Sequence, residues 1–248
     1  MARCAPDRAG QRRVAHRGAS LAMLAVVSLS AVARADELRP FQASYEWIWH
    51  GMKVAVSSLQ LEHTGDTWTY RSHSEPRGIG RLVAERPIQV SVMRITPDGV
   101  EPLSYRAKAG GGSTRRDAEV TFDWNARRVT GVYENAKVNM AIEPGIQDDS
   151  SIQVALMVEL LRGEIPQGFT LLNGNSVRKY RYTREGEASL KTPFGEVPTV
   201  IYRSEHEGSP RVTRFWCAPQ RGYIPMRVEQ TRGSEVEWTM NILTLKRE

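Results

Sequence analysis

Cysteine, net charge and long apolar runs are all scarce in this chain. Of 248 residues only two are cysteine, Cys4 and Cys217, so no disulfide framework is available and the fold must be held by burial. Cys4 lies too far from any cleavage site to serve as a lipoprotein anchor. Cys217 sits in a strand-like run and reads as a small buried hydrophobe rather than a nucleophile. The longest apolar run, Leu21 to Val32, is too short to span a bilayer comfortably. Chemical signatures are scarce as well. No G-x-S-x-G elbow, no P-loop and no zinc-ligand spacing among His50, His63, His73 and His206 can be found, so no metal, cofactor or catalytic residue is assigned. The Gly110-Gly111-Gly112 run lacks the P-loop spacing and reads as a flexible loop.

The amino terminus has the grammar of an export signal. Arg3, Arg8, Arg12, Arg13 and Arg17 precede the apolar run, and Ala33-Arg34-Ala35 fits a small-x-small cleavage site. Residues 1–35 are therefore expected to be a signal peptide, residues 36–248 the mature domain, and the periplasm its compartment. The leader also distorts the charge balance. The full chain carries 34 Lys and Arg against 28 Asp and Glu; without the leader's six arginines and one aspartate, 28 face 27. That near-neutrality removes the electrostatic case for nucleic acid, and no membrane span remains after signal cleavage.

What the mature chain does have is alternation. In FQASYEWIWHG, Phe41, Ala43, Tyr45, Trp47 and Trp49 occupy every second position, as on one face of a β-strand. MKVAVSSLQLEHTGDTWTYRSHS reads as a hairpin turning at Gly65-Asp66. That register pairs His63 with Trp68, Leu61 with Tyr70 and Leu59 with Ser72 on the apolar face. The apolar phase slips near Ser57-Ser58, where a bulge is expected to curl the sheet. Ile88, Val90 and Val92 alternate with Gln89 and Ser91, and further strands are expected at Leu103 to Lys108, Asp117 to Trp124 and Val129 to Ile142. The last third reads as strands again, including a hairpin from YIPMRVEQ to EVEWTMNILTL. One segment differs: DDSSIQVALMVELLRG starts with capping residues and is apolar nearly all round from Ile152 to Leu161, which predicts one buried helix. The fold class is thus mainly β, a single curled antiparallel sheet or barrel-like domain of about ten strands with one buried helix.

Taken in order, YEWIWHGMKVAVSSLQL, VTFDWN, EPGIQDDSSIQVALMVELLRG, KTPFGEVPTVIYR and RFWCAPQRGYIPMRVEQ resemble the bacterial exported domain-of-unknown-function 3108 family over roughly residues 40 to 245. The resemblance implies periplasmic residence and a mainly antiparallel, barrel-like fold. It brings no reaction and no catalytic residues, and Cys217 stands where that pattern has a plain aliphatic.

Two features could carry function. Asp148-Asp149 is an adjacent carboxylate pair, but its place before a helical run makes capping the better reading than acid–base work. The aromatic face of Tyr45, Trp47 and Trp49, with Leu156 from the helix opposite, is the candidate ligand-binding wall, because Trp and Tyr offer large area with a polar handle. The expected function is non-enzymatic: a periplasmic protein that binds or carries a lipophilic cell-envelope component, with the helix or the Arg77 to Arg86 segment gating access. The alternatives are a protein-interaction module in envelope assembly and a hydrolase of an envelope glycan or lipid. The last requires Asp148, Asp149 or a histidine in a polar cleft. An integral outer-membrane barrel is disfavoured, since so apolar a helix has no place in a watery lumen.

Overall fold

A computed structural model of the chain describes residues 37–82, 87–110 and 117–247. The expected leader, residues 1–35, lies outside them, as do residues 83–86 of the Arg77 to Arg86 segment. The first half is a meander of β1 (Phe41–Trp49), β2 (Met52–Thr64), β3 (Thr67–Pro76), β4 (Ile88–Thr96), β5 (Gly99–Lys108), β6 (Ala118–Asp123), β7 (Arg128–Tyr133) and β8 (Ala136–Ala141). A two-residue strand, β9 (Ile146–Gln147), leads into helix α1 (Ser151–Leu161). The second meander is β10 (Gly168–Asn173), β11 (Ser176–Thr192), β12 (Gly195–His206), β13 (Arg211–Ala218), β14 (Ile224–Arg232) and β15 (Glu235–Arg247).

All 15 strands form one sheet in the order β8-β7-β6-β5-β4-β3-β2-β1-β15-β14-β13-β12-β11-β10-β9. Every neighbouring pair is antiparallel except β9 with β10, which run parallel. The sheet is not closed, because no ladder joins β8 to β9. Side chains link each edge strand to the opposite half of the sheet instead. The Asn139 backbone N–H donates to Asn175 Oδ1 at 3.0 Å, and Gln147 Nε2 donates to the Val100 carbonyl at 2.8 Å. Ile146 and Leu172 from one edge share a small core with Phe122, Val129 and Val138 from the other.

The described residues form 15 strands rather than about ten, and one of those missed has an identifiable reason. Val129 to Ile142, which reads as one strand, is the hairpin β7–β8, folded at Glu134-Asn135 with φ of +50° and +66°. Two consecutive positive φ values make the tight turn that suits antiparallel strands, but glycine, its usual signal, is missing here.

The hairpin β2–β3 has the expected register, with Leu61 opposite Tyr70 and Leu59 opposite Ser72. It runs on unbroken through Ser57 and Ser58. The bulge falls four residues earlier, where Trp47 faces Ala55 but Ile48 faces Lys53, so that Val54 is the extra residue of β2. Ser57 is buried on the same inner face as Leu59 and Leu61. The apparent slip in phase is a hydroxyl on the concave side, not a change of side. In β4 the apolar set turns outward: Ile88 is 47% exposed, whereas Ser91 is fully buried and Gln89 half-buried.

Helix α1 lies against β4, β5 and β9, with eight of its 11 residues buried. Leu156, Met157 and Val154 join Tyr45, Tyr70, Met93, Met226 and Ile242 in the main core. Asp148 caps the helix: its Oδ1 accepts the backbone N–H groups of Ser150 and Ser151, both at 2.8 Å, and its own N–H donates to Ser151 Oγ at 2.9 Å. This satisfies free donors of the first turn and sets a negative group at the positive end of the dipole. Among the described residues no helix is long and apolar enough to cross a membrane.

Candidate functional site

Between the concave face of the sheet and the first turns of α1 is a cavity of about 390 Å³. The alternation in β1 builds one side of it. Phe41, Ala43 and Tyr45 are buried, Trp47 is half-buried at the cavity, and Trp49, the last residue of the strand, is 47% exposed at the rim. The wall continues across β13, β14 and β15 with Phe215, Val228, Met240 and Trp238, while Ile152, Leu156 and Met157 of α1 close the floor. The Trp47 and Trp238 rings meet with centroids 4.9 Å apart at 43°. Of the four residues singled out from sequence, Tyr45, Trp47 and Leu156 line this cavity; Trp49 stands outside it, edge-on to the His50 ring at 4.7 Å.

Most of the polar lining comes from β2, β3, β4 and Gln153 of α1, with Leu59 and Tyr70 among it. Trp47 Nε1 donates to Ser57 Oγ at 2.5 Å, and the Ser57 and Ser74 hydroxyls are also 2.5 Å apart. Ser72 Oγ donates to Gln89 Oε1 at 3.2 Å, and Tyr70 OH donates to Gln153 Oε1 at 3.2 Å. Ser57, Ser72, Ser74, Gln89 and Gln153 were not among the residues that the sequence brought forward. The available signal was Ser72, whose register partner Leu59 already placed it on the apolar face.

The polar wall extends into a buried network outside the cavity. Gln89 Nε2 donates to Tyr105 OH at 3.1 Å, Tyr105 OH to Asp149 Oδ2 at 3.1 Å, and Tyr133 OH to the same oxygen at 2.8 Å. Burial raises the Asp149 carboxyl above the usual carboxylate range, although both tyrosine hydrogen bonds pull it down. Burial likewise pushes Asp148 up to about 6 against its bonds to Ser91, Ser151 and Ser150. Neither carboxylate lines the cavity. Asp148 is enclosed by its cap and by the Ser91 hydroxyl at 2.7 Å, so its position supports the capping reading.

The other candidates for chemistry sit apart. Cys217 is wholly enclosed, and burial pushes its thiol up to about 12. His63 stacks on Trp68 with centroids 4.3 Å apart at 17°. Among the described residues no three His, Cys, Asp or Glu side chains are grouped to hold a metal ion.

Comparison with known proteins follows this architecture. The family described as "Protein of unknown function (DUF3108)" matches residues 41–234. A β-barrel-like protein of the DUF1849 family from Brucella abortus is similar in structure, with a TM-score of 0.54 at 10% identity, covering 85% of this chain and 98% of that one. A putative exported protein with a YmcC-like fold from Bacteroides fragilis aligns with a TM-score of 0.33 at 10% identity, over 84% and 96% of the two chains. The first of these shows a shared fold. A comparison with curated proteins finds no match.

Proposed function

The chain belongs to the DUF3108 family, a family of unknown function, and we propose that it is a non-enzymatic periplasmic protein that binds or carries a lipophilic component of the cell envelope. The cavity carries this reading: about 390 Å³ of space, walled by Tyr45, Trp47, Phe215 and Met240 and floored by Leu156 and Met157. Ligand sites commonly span about 300–1,000 Å³ with mostly apolar linings and a few placed polar groups. An alkyl chain held there gains ~0.8 kcal/mol for each methylene removed from water. The amino-terminal basic and apolar pattern supports export to the compartment where such ligands occur.

A second reading, a strand-pairing interaction module, draws on the edge of β8, which ends the sheet with, among the described residues, only its Asn139 N–H bonded across to Asn175 and with Ala136, Lys137, Asn139 and Ala141 exposed.

The test is native mass spectrometry of protein purified gently from periplasm, with organic extraction of bound material. A stoichiometric lipid that is lost from Trp47→Glu, in a variant shown by circular dichroism to keep its fold, is the expected result. A protein that arrives empty and takes up no added lipid overturns the carrier reading and favours the interaction module.

A further inference from the structure

Given an apolar cavity with one polar wall, the remaining question is which head group that wall can accept. The cavity is divided by chemistry. Trp47, Trp238, Phe215, Val228 and Met240, with Thr213, line it from β1 and β13 to β15; Ser57, Ser72, Ser74, Gln89 and Gln153, with Leu59 and Tyr70 among them, line it from β2 to β4 and α1. Cross-strand register makes the polar side contiguous, since Ser57 faces Ser74 across β2–β3 and Ser72 faces Gln89 across β3–β4.

These groups retain capacity for a guest. A serine hydroxyl has one donor and two acceptor positions, and a glutamine amide has two donors. Ser72 uses its proton on Gln89 Oε1, leaving its oxygen free to accept. Gln89 gives one amide hydrogen to Tyr105, and Gln153 accepts from Tyr70 while its amide nitrogen has no partner among the described residues. The wall therefore offers both donors and acceptors, all of them neutral.

Charge is what it lacks. Among the described residues lining the cavity, Lys108 is the charged one; its side chain is 61% exposed and its Nζ lies 3.0 Å from Asp117 Oδ2. An ionised carboxylate or phosphate drawn in beside Ser72 and Gln89 would lose its hydration and, among the described lining residues, meet no cation except Lys108, which Asp117 already pairs. Burial of an unpaired ion costs several kcal/mol, whereas a hydroxyl, ester or amide exchanges its water bonds for those of the wall.

Resting on the carrier reading, we infer that the ligand is an uncharged amphiphile, an alkyl chain bearing a hydroxyl, ester or amide group. The chain lies against Trp47, Phe215 and Leu156, and the neutral polar group sits on the Ser57–Ser72–Ser74–Gln89–Gln153 wall.

The experiment is displacement of the uncharged fluorophore N-phenyl-1-naphthylamine from the mature protein at about pH 8 by three guests of equal chain length: 1-monolauroylglycerol, laurate and dodecyl phosphate. Monolauroylglycerol is expected to compete at least about tenfold more strongly than either anion. In a Ser72→Ala/Ser74→Ala double variant that preference should fall by about tenfold as the hydroxyls leave the wall. Anions that compete as well as the neutral guest overturn the head-group assignment and leave the apolar cavity standing. A protein that binds neither the fluorophore nor any guest overturns both. The ranking on wild-type protein decides the matter even where the double variant does not fold.

Discussion

Replacing Asp148 with asparagine separates the charge of this buried group from its hydrogen bonds. Asp148 is wholly enclosed; Oδ1 holds the N–H groups of Ser150 and Ser151, and Oδ2 holds the Ser91 hydroxyl. Asparagine keeps the two backbone bonds through its carbonyl oxygen and can donate its NH₂ to Ser91 Oγ. Burial raises the carboxyl from its ordinary 3.8 to about 6 in spite of these bonds. A carboxyl raised on folding stabilises the native state fully below its unfolded value, and that contribution is lost as pH rises through the folded value. The window here runs from about pH 4 to pH 6. At about 1.4 kcal/mol per pH unit, the wild-type protein forfeits about 3 kcal/mol across it that Asp148→Asn keeps. Urea unfolding followed by tryptophan fluorescence, for both proteins at several pH values between about 4 and 7.5, gives the difference directly. Other titrating groups largely cancel between the two. The variant should match wild type near pH 4 and exceed its stability by about 3 kcal/mol near pH 7. A pH-independent difference refutes the burial argument. So does a variant weaker at neutral pH by about 1 kcal/mol or more, the size of a lost helix cap.

Two further outcomes follow from enclosed positions. Cys217, with no exposure and a thiol pushed up to about 12, should resist an aromatic disulfide reagent at pH 8 in the native protein and react stoichiometrically in denaturant; rapid native labelling would contradict its burial. Gly131 in β7 has φ +142°, and a Cβ there would lie 2.1 Å from the Glu119 carbonyl oxygen across the ladder. Gly131→Ala should therefore lower the urea midpoint by an amount equivalent to about 2 kcal/mol or more, and an unchanged midpoint would show that the backbone yields freely.

The sequence made local order legible where two signals agreed. The β2–β3 register could be read because the Gly65-Asp66 turn and the alternation of Leu59, Leu61, Trp68 and Tyr70 lead to the same pairing. The helix was legible because capping groups and an all-round apolar run coincide at Asp148 to Leu161. Strand count failed in part at Glu134-Asn135, where Asn135 suits a positive φ but Glu134 does not and no glycine marks the turn. The polar half of the cavity was hidden for another reason. Alternation alone assigns Ile88 and Val90 inward and Gln89 and Ser91 outward. The fold does the reverse: Ser91 meets Asp148, 57 residues further on, and Met93 on the same face enters the main core. No window of neighbouring residues contains those contacts.

The order of strands carries a consequence for how the molecule comes together. With β1 set between β2 and β15, spatial order follows chain order along the whole sheet apart from a single cut: β9 through β15, then β1 through β8. Each meander can zip up from its own hairpins, whose partners are near in sequence. The seam between them cannot, since Ser44 and Thr244, whose hydroxyls meet at 2.7 Å, are 200 residues apart. Closing so long a loop costs entropy that local pairing does not, so the seam is where this topology raises contact order most. The topology predicts two halves that pair locally and a slower step that joins them. The cavity spans that junction, with Trp47 contributed by one half and Met240 by the other. Its walls do not exist until the last strand is in place, so the cavity is a property of the joined halves and of neither meander alone.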